Sequence, residues 1–169
     1  MPLDHDALLR DWQENAEKDE DTNLRFLRSL KMVSDPDRVD AAARQLHEDT
    51  FGRIDCTRCA NCCKTMSPGV SDEDSERIAD HLNMTREAFT AAYLVADREK
   101  GGYRMRTLPC PFLGEDDRCT IYAIRPAACR EFPHTDKEGF IWRTHLHAAN
   151  TRSCPAVYHI VKRMRQRRR

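Results

Sequence analysis

No apolar run in this chain approaches the ~20 residues that a membrane-spanning helix needs. The first residues, Met1-Pro2-Leu3-Asp4-His5-Asp6, lack the basic stretch and apolar run that open a secretory leader. These absences predict no membrane association and a cytoplasmic location, where thiols stay reduced. Aromatic residues make up only 7% of the chain, and there is no phosphate-cradling glycine loop and no nucleophile elbow. Without stacking platforms or a reading helix, nucleic acid is a poor candidate partner. A third of the residues are charged, so the core available to 169 residues is modest. Such a chain gains from an added cross-link, and a bound metal is one.

Net charge is zero, but the two signs are unevenly placed. Residues 1–50 carry 13 acidic and 7 basic side chains, whereas residues 151–169 carry 7 basic and no acidic ones. The chain ends in Arg165-Gln166-Arg167-Arg168-Arg169. A basic tail of this kind either binds a protein or other acidic partner or is a solvated helix end whose cations suit the C-terminal dipole.

The first 52 residues contain no cysteine and read as a helical N-terminal arm. Leu8, Leu9, Trp12 and Ala16 begin a helical stripe, a polar stretch from Glu14 to Asp21 interrupts it, and Leu24, Leu27 and Leu30 resume it. One long helix or two would fit. A further helix is expected after Asp35-Pro36, with Val39, Ala42, Ala43 and Leu46 on one face. Ser71 and Thr85 read as caps of two more helices, the second with Phe89, Ala92 and Tyr93 inward. Tyr103 to Leu108 and Phe140-Ile141-Trp142 read as short strands. Cys154-Pro155 opens a last helix with Val157, Ile160, Val161 and Met164 at helical spacing. The expected architecture is small, loop-rich and mainly α, with a cysteine-ligated metal core and at most a short two-stranded β element. It divides into the arm, a metal-binding domain over 53–156, and a C-terminal helix over 157–169 that continues into the basic tail.

Cysteine is abundant: Cys56, Cys59, Cys62, Cys63, Cys110, Cys119, Cys129 and Cys154. In a reducing compartment eight cysteines point to metal ligands before disulfides. The first four form C-x2-C-x2-C-C, and a two-residue gap lets a tight turn aim two sulfurs at one ion. Cys62 and Cys63 are adjacent, so their side chains are expected to point apart, freeing one of them for a second site. Eight thiols make two four-ligand sites, or one site plus further thiols. Zinc is the expected metal, with iron or an iron–sulfur cluster as the alternative, because thiolates suit all of these. Arg58, Lys64, Arg125 and Arg130 lie close to cysteines in sequence and are candidates to balance thiolate charge, Arg130 foremost. His134, His145 and His147 are candidates to replace a sulfur, although each alone reads better as a packed or polar residue.

The strings Cys56-Thr-Arg-Cys59-Ala-Asn-Cys62-Cys63, Cys110-Pro-Phe-Leu113, Cys119-Thr-Ile-Tyr122-Ala-Ile-Arg125-Pro126-Ala-Ala-Cys129-Arg130-Glu-Phe132-Pro133 and Cys154-Pro155 together resemble the CxxCxxCC, or YkgJ-type, cysteine-cluster family, described as zinc- or iron-chelating. The resemblance covers about residues 53–156 and implies that all eight cysteines belong to the metal-binding motif. Position 60 is alanine where many relatives have glycine. The resemblance implies a metal-binding protein without naming its cellular role. An iron–sulfur enzyme in redox or macromolecule-modifying chemistry and a zinc-stapled interaction protein are the alternatives.

Overall fold

In the computed structural model, which describes residues 4–167, the chain is mainly α with a small antiparallel sheet. In chain order the helices are α1 (His5–Asn15), α2 (Glu20–Ser29), α3 (Pro36–Phe51), α4 (Cys56–Cys59), α5 (Asn61–Thr65), α6 (Asp72–His81), α7 (Arg86–Tyr93), α8 (Ala127–Glu131), α9 (Thr144–Ser153) and α10 (Pro155–Arg167). The strands are β1 (Gly69–Val70), β2 (Leu94–Ala96) and β3 (Tyr103–Met105). The backbone clusters into two compact units. A helical unit comprises the chain up to Cys56 and from Pro133 onward, and a cysteine unit comprises Thr57–Phe132.

The helical unit is built around α10, which packs on α1, α2, α3 and α9. Val157, Ile160, Val161 and Met164 are all buried, as their helical spacing predicts, and meet a core that includes Leu8, Leu27, Leu30 and Leu46. The arm is two helices: the polar stretch breaks it after Asn15, and α2 restarts at Glu20. Asp35 caps α3 by accepting from the Arg38 N–H, with Pro36 in the first turn. Charge segregation along the chain resolves into pairing within this unit. Asp11 meets Lys162 at 2.7 Å, Asp49 meets Arg163 at 3.1 Å, and Asp19 meets Arg165 at 3.3 Å. Arg167 reaches Gln45. Arg168 and Arg169 of the basic tail, like Met1, Pro2 and Leu3, lie outside the described residues.

Phe140-Ile141-Trp142 is not a strand but part of a 3₁₀ turn, Phe140–Arg143. Gly139 enters with φ 75°, and the Asp40 carboxylate accepts from the N–H groups of Gly139 and Phe140 at 2.6 and 2.9 Å. These donors are thereby satisfied by a distant side chain instead of a sheet ladder. Phe140 and Ile141 are buried, while Trp142 is 73% exposed. The other tryptophan, Trp12, is half-buried and donates its Nε1–H to the Thr151 carbonyl at 2.9 Å.

The cysteine unit has a separate core of Val70, Ile78, Ala79, Phe89, Leu94, Met105, Phe112 and Ile121. Its sheet has the order β1-β3-β2, with Val70 opposite Tyr103 and Leu94 opposite Met105. The expected strand from Tyr103 is therefore present but ends at Met105, and β1 and β2 are strands that the sequence pattern was too short to reveal. Ser71 and Asp74 form a capping box at the start of α6, and Thr85 caps α7 by accepting from the Ala88 N–H. Phe89 is inward as expected, but Ala92 is exposed, because α7 ends at Tyr93 and turns into β2.

Candidate metal centre

Six cysteines lie in the cysteine unit: Cys59, Cys62, Cys63, Cys110, Cys119 and Cys129. Cys56, exposed at the start of α4, and Cys154, buried at the C-terminal end of α9, belong to the helical unit. Among the described residues no disulfide forms.

Local backbone geometry aims amides at three of the six sulfurs. The N–H of Asn61 donates to Cys59, that of Phe112 to Cys110, and that of Ile121 to Cys119. In each case the donor lies two residues after the cysteine, so a tight turn must fold the chain back onto the sulfur. At the first turn, Ala60 does this in the left-handed conformation, φ 49° and ψ 10°, while almost fully buried. At the second, Pro111 occupies the intervening position, where no N–H is required. The 110–121 segment is closed by the Leu113–Cys119 bridge and by Thr120 N–H donating to Phe112 O at 2.8 Å. The Cys110 N–H donates to the Cys63 carbonyl at 2.8 Å, which ties this segment to α5.

Cys129 rides on α8, and α8 is held from its first residue. The buried Asp74 carboxylate accepts from the Ala127 N–H at 3.1 and 3.2 Å while pairing with Arg77 at 2.5 Å. Arg77 also donates to the carbonyls of Ile124 and Arg125. One carboxylate thus joins the cap of α6 to the helix carrying Cys129. Ser71-x-x-Asp74 was readable as a helix start, but nothing in its spacing announced the partner 53 residues away.

The thiols act on one another. A hydrogen bond with Cys62, then burial, pushes the Cys63 thiol well above its usual range. Burial, then the charges of Cys63, Cys110 and Cys119, pushes Cys129 up to about 12. Cys110 is raised by burial and then by Cys63 and Cys119, and Cys119 by burial and then by Cys63. Cys59 is raised chiefly by burial, with Cys63 a smaller contributor. Cys63, Cys110, Cys119 and Cys129 therefore form a mutually interacting set, with Cys62 and Cys59 coupled to it through Cys63. The adjacent pair does not point apart: both residues lie on α5, where neighbours are separated by about 100° around the axis, not 180°.

Two cations oppose this repulsion. Lys64 favours the charged forms of Cys59 and Cys63, and Arg125 favours those of Cys119 and Cys129. Lys64 is itself paired with Asp117 at 2.7 Å, and Arg125 lies 3.9 Å above the Tyr122 ring while donating to the Tyr122 carbonyl. Arg130 donates to the Arg125 carbonyl at 2.7 Å, and the Arg125 charge favours the thiolate forms of Cys119 and Cys129. His134, His145 and His147 all belong to the helical unit. His147 is completely buried and stacks on Phe140 with ring centroids 4.0 Å apart.

Among the described residues no group of three or more His, Cys, Asp or Glu is already arranged to hold an ion. The fit to a metal rests on the donor set. Four partly buried sulfurs that would repel one another as thiolates become favourable neighbours once a cation displaces their protons and balances their charge. The amides aimed at Cys59, Cys110 and Cys119 stabilise thiolate, the form that binds metal, over thiol. The model of the CxxCxxCC family, described as "Putative zinc- or iron-chelating domain", matches residues 55–148. No curated protein and no solved structure matches the chain.

Proposed function

The chain belongs to the CxxCxxCC family, and from that premise we propose that its cysteine unit is a thiolate site that chelates zinc or iron. Cys63, Cys110, Cys119 and Cys129 would be the central ligands, with Cys62 and Cys59 coupled to them. The observation that carries this reading is the mutual interaction of these four thiols, two of which also receive a backbone N–H from two residues on. Zinc in such a site would supply a closed cross-link that adds folding free energy, whereas iron or an iron–sulfur cluster would supply electron transfer. The chain's own part is to hold the sulfurs on short turns beside an apolar core. Lys64 and Arg125 partly offset the thiolate charge.

Metal handling is favoured over an interaction role. Arg163, Arg165 and Arg167 of the basic tail are already engaged by Asp49, Asp19 and Gln45. That leaves less free charge for an acidic partner than the sequence alone suggests. The enzymatic alternative requires iron, and metal identity decides it.

The test is metal and acid-labile sulfide content, with a visible spectrum, on protein purified without oxygen. It is made on the parent chain and on Cys59→Ala, Cys63→Ser and Cys129→Ala. Stoichiometric zinc or iron in the parent, lost from the variants together with a fall in Tm, is the expected result. Unchanged metal content and melting in all three variants would remove the ligand assignment. The same assay on Cys56→Ser and Cys154→Ser decides whether the two cysteines of the helical unit also serve as ligands.

A further inference from the structure

The helical unit contains a cavity of about 520 Å³, and no part of the metal reading uses it. That volume falls within the ~300–1,000 Å³ of ordinary small-molecule sites. Leu30, Leu46 and Met164 are the buried part of its lining. Phe26 of α2, Val33 of the connection to α3, and Val39 and Ala42 of α3 also line it, and these four are only half-buried. Val39 and Ala42 continue the face of α3 that buries Ala43 and Leu46. An apolar stripe at helical spacing is normally closed by a neighbouring element. Here part of the stripe opens into the cavity instead. An aliphatic chain is the group that such walls favour, because burying it removes apolar surface from water on both sides.

The polar lining supplies the independent observation. It consists of Ser34, Asp35, Arg38 and Arg167. Asp35 is committed to the start of α3, where its Oδ1 accepts from the Arg38 N–H at 3.1 Å. The Arg38 side chain is exposed, and among the described residues its guanidinium meets no hydrogen-bond or ion-pair partner. Arg167 differs from the other cations of α10. Lys162, Arg163 and Arg165 are each held by a carboxylate, those of Asp11, Asp49 and Asp19. Arg167 has only the neutral amide of Gln45, at 3.3 Å. Two guanidiniums without a carboxylate partner thus border an otherwise apolar cavity. An anionic head with two acceptor oxygens complements them.

We propose that this cavity binds a single-chain aliphatic carboxylate, a fatty-acid anion of medium length. Its chain lies against Phe26, Val33, Val39 and Ala42, and its carboxylate meets Arg38 and Arg167. The site lies wholly within the helical unit and does not depend on the metal reading.

The experiment is calorimetric titration of the full-length protein with hexanoate, octanoate and decanoate, each below its micelle-forming concentration. Decanol, decyltrimethylammonium and acetate are the controls. Saturable binding of decanoate at one site is expected, with affinity rising about threefold to fourfold per added methylene. Decanol and decyltrimethylammonium should bind about tenfold more weakly or worse, and acetate should not saturate. Ala42→Trp fills the cavity from its wall and should abolish decanoate binding. Arg38→Gln should weaken decanoate about tenfold and leave decanol unchanged. Arg38 is exposed, so Arg38→Gln remains informative even where Ala42→Trp does not fold. Absence of saturable decanoate binding, or decanoate affinity unchanged in Arg38→Gln or in folded Ala42→Trp, would overturn the proposal. Dimerisation of the parent chain that Ala42→Trp abolishes would place a second copy on these walls and would also overturn it.

Discussion

Ala60 holds a left-handed backbone, a conformation that costs an L-residue roughly 1–2 kcal/mol. The turn it makes returns the Asn61 N–H to the Cys59 sulfur, so the cost is borne at the candidate metal centre. Ala60→Gly removes the steric penalty and should keep metal content, with Tm within a few degrees of the parent. Ala60→Val adds a β-branched side chain to a buried, left-handed position. It should lower stability by about 2 kcal/mol or more and weaken metal retention, read by thermal melting and metal analysis. His147 illustrates a different strain. Both its ring nitrogens are buried without partners, and burial lowers its proton affinity so that it titrates near about 3 instead of 6.5. Above pH 6.5 the imidazole is neutral in folded and unfolded chains alike, and it contributes no pH dependence. Between 6.5 and about 3 the unfolded chain takes up the proton and the folded chain does not, so stability falls as pH falls, by roughly a few kcal/mol in all. His147→Phe, which keeps an aromatic ring against Phe140, should flatten that slope in pH-dependent denaturation.

At the scale of elements, the junction of α6 and α8 shows why the site depends on a residue that touches no sulfur. Burial alone would raise the Asp74 proton affinity, but Arg77, the Ala127 N–H and Ser71 together outweigh it and hold the carboxyl below its ordinary 3.8. Its contribution is therefore complete at neutral pH and is lost only as pH falls through that lowered value. Asp74→Asn leaves the Arg77 charge without its partner. It should cost about 3 kcal/mol and reduce metal affinity by releasing the start of the helix that carries Cys129, as measured by melting and competitive chelation. The helix starts at Asp35, Ser71 and Thr85 were legible because a cap needs only residues three apart. The Phe140 segment was not, because its turn is fixed by Asp40, 100 residues earlier. Apolar and β-branched composition alone favours a strand there until that partner is known. The eight cysteines were legible as candidate ligands from spacing and resemblance. The interaction of Cys62 with Cys63 was not, because reading it requires knowing that the pair lies on a helix.

At the scale of the whole molecule, two chemistries are kept in separate units. Asp11 of α1 and Asp19, just before α2, pair with Lys162 and Arg165 of α10 inside the helical unit, so part of the uneven charge of the sequence is neutralised there. The cysteine unit has its own apolar core, to which the metal proposed above would add a cross-link. The placement of the two indoles makes this division visible to light. Trp12, half-buried and hydrogen-bonded, and Trp142, open to solvent, both belong to the helical unit, whereas Tyr93, Tyr103 and Tyr122 lie in the cysteine unit. Indole emission during unfolding therefore follows the helices directly and leaves the sulfur cluster without an indole of its own. Tyrosine emission or thiolate-to-metal absorption must be recorded alongside it for the two units to be told apart optically.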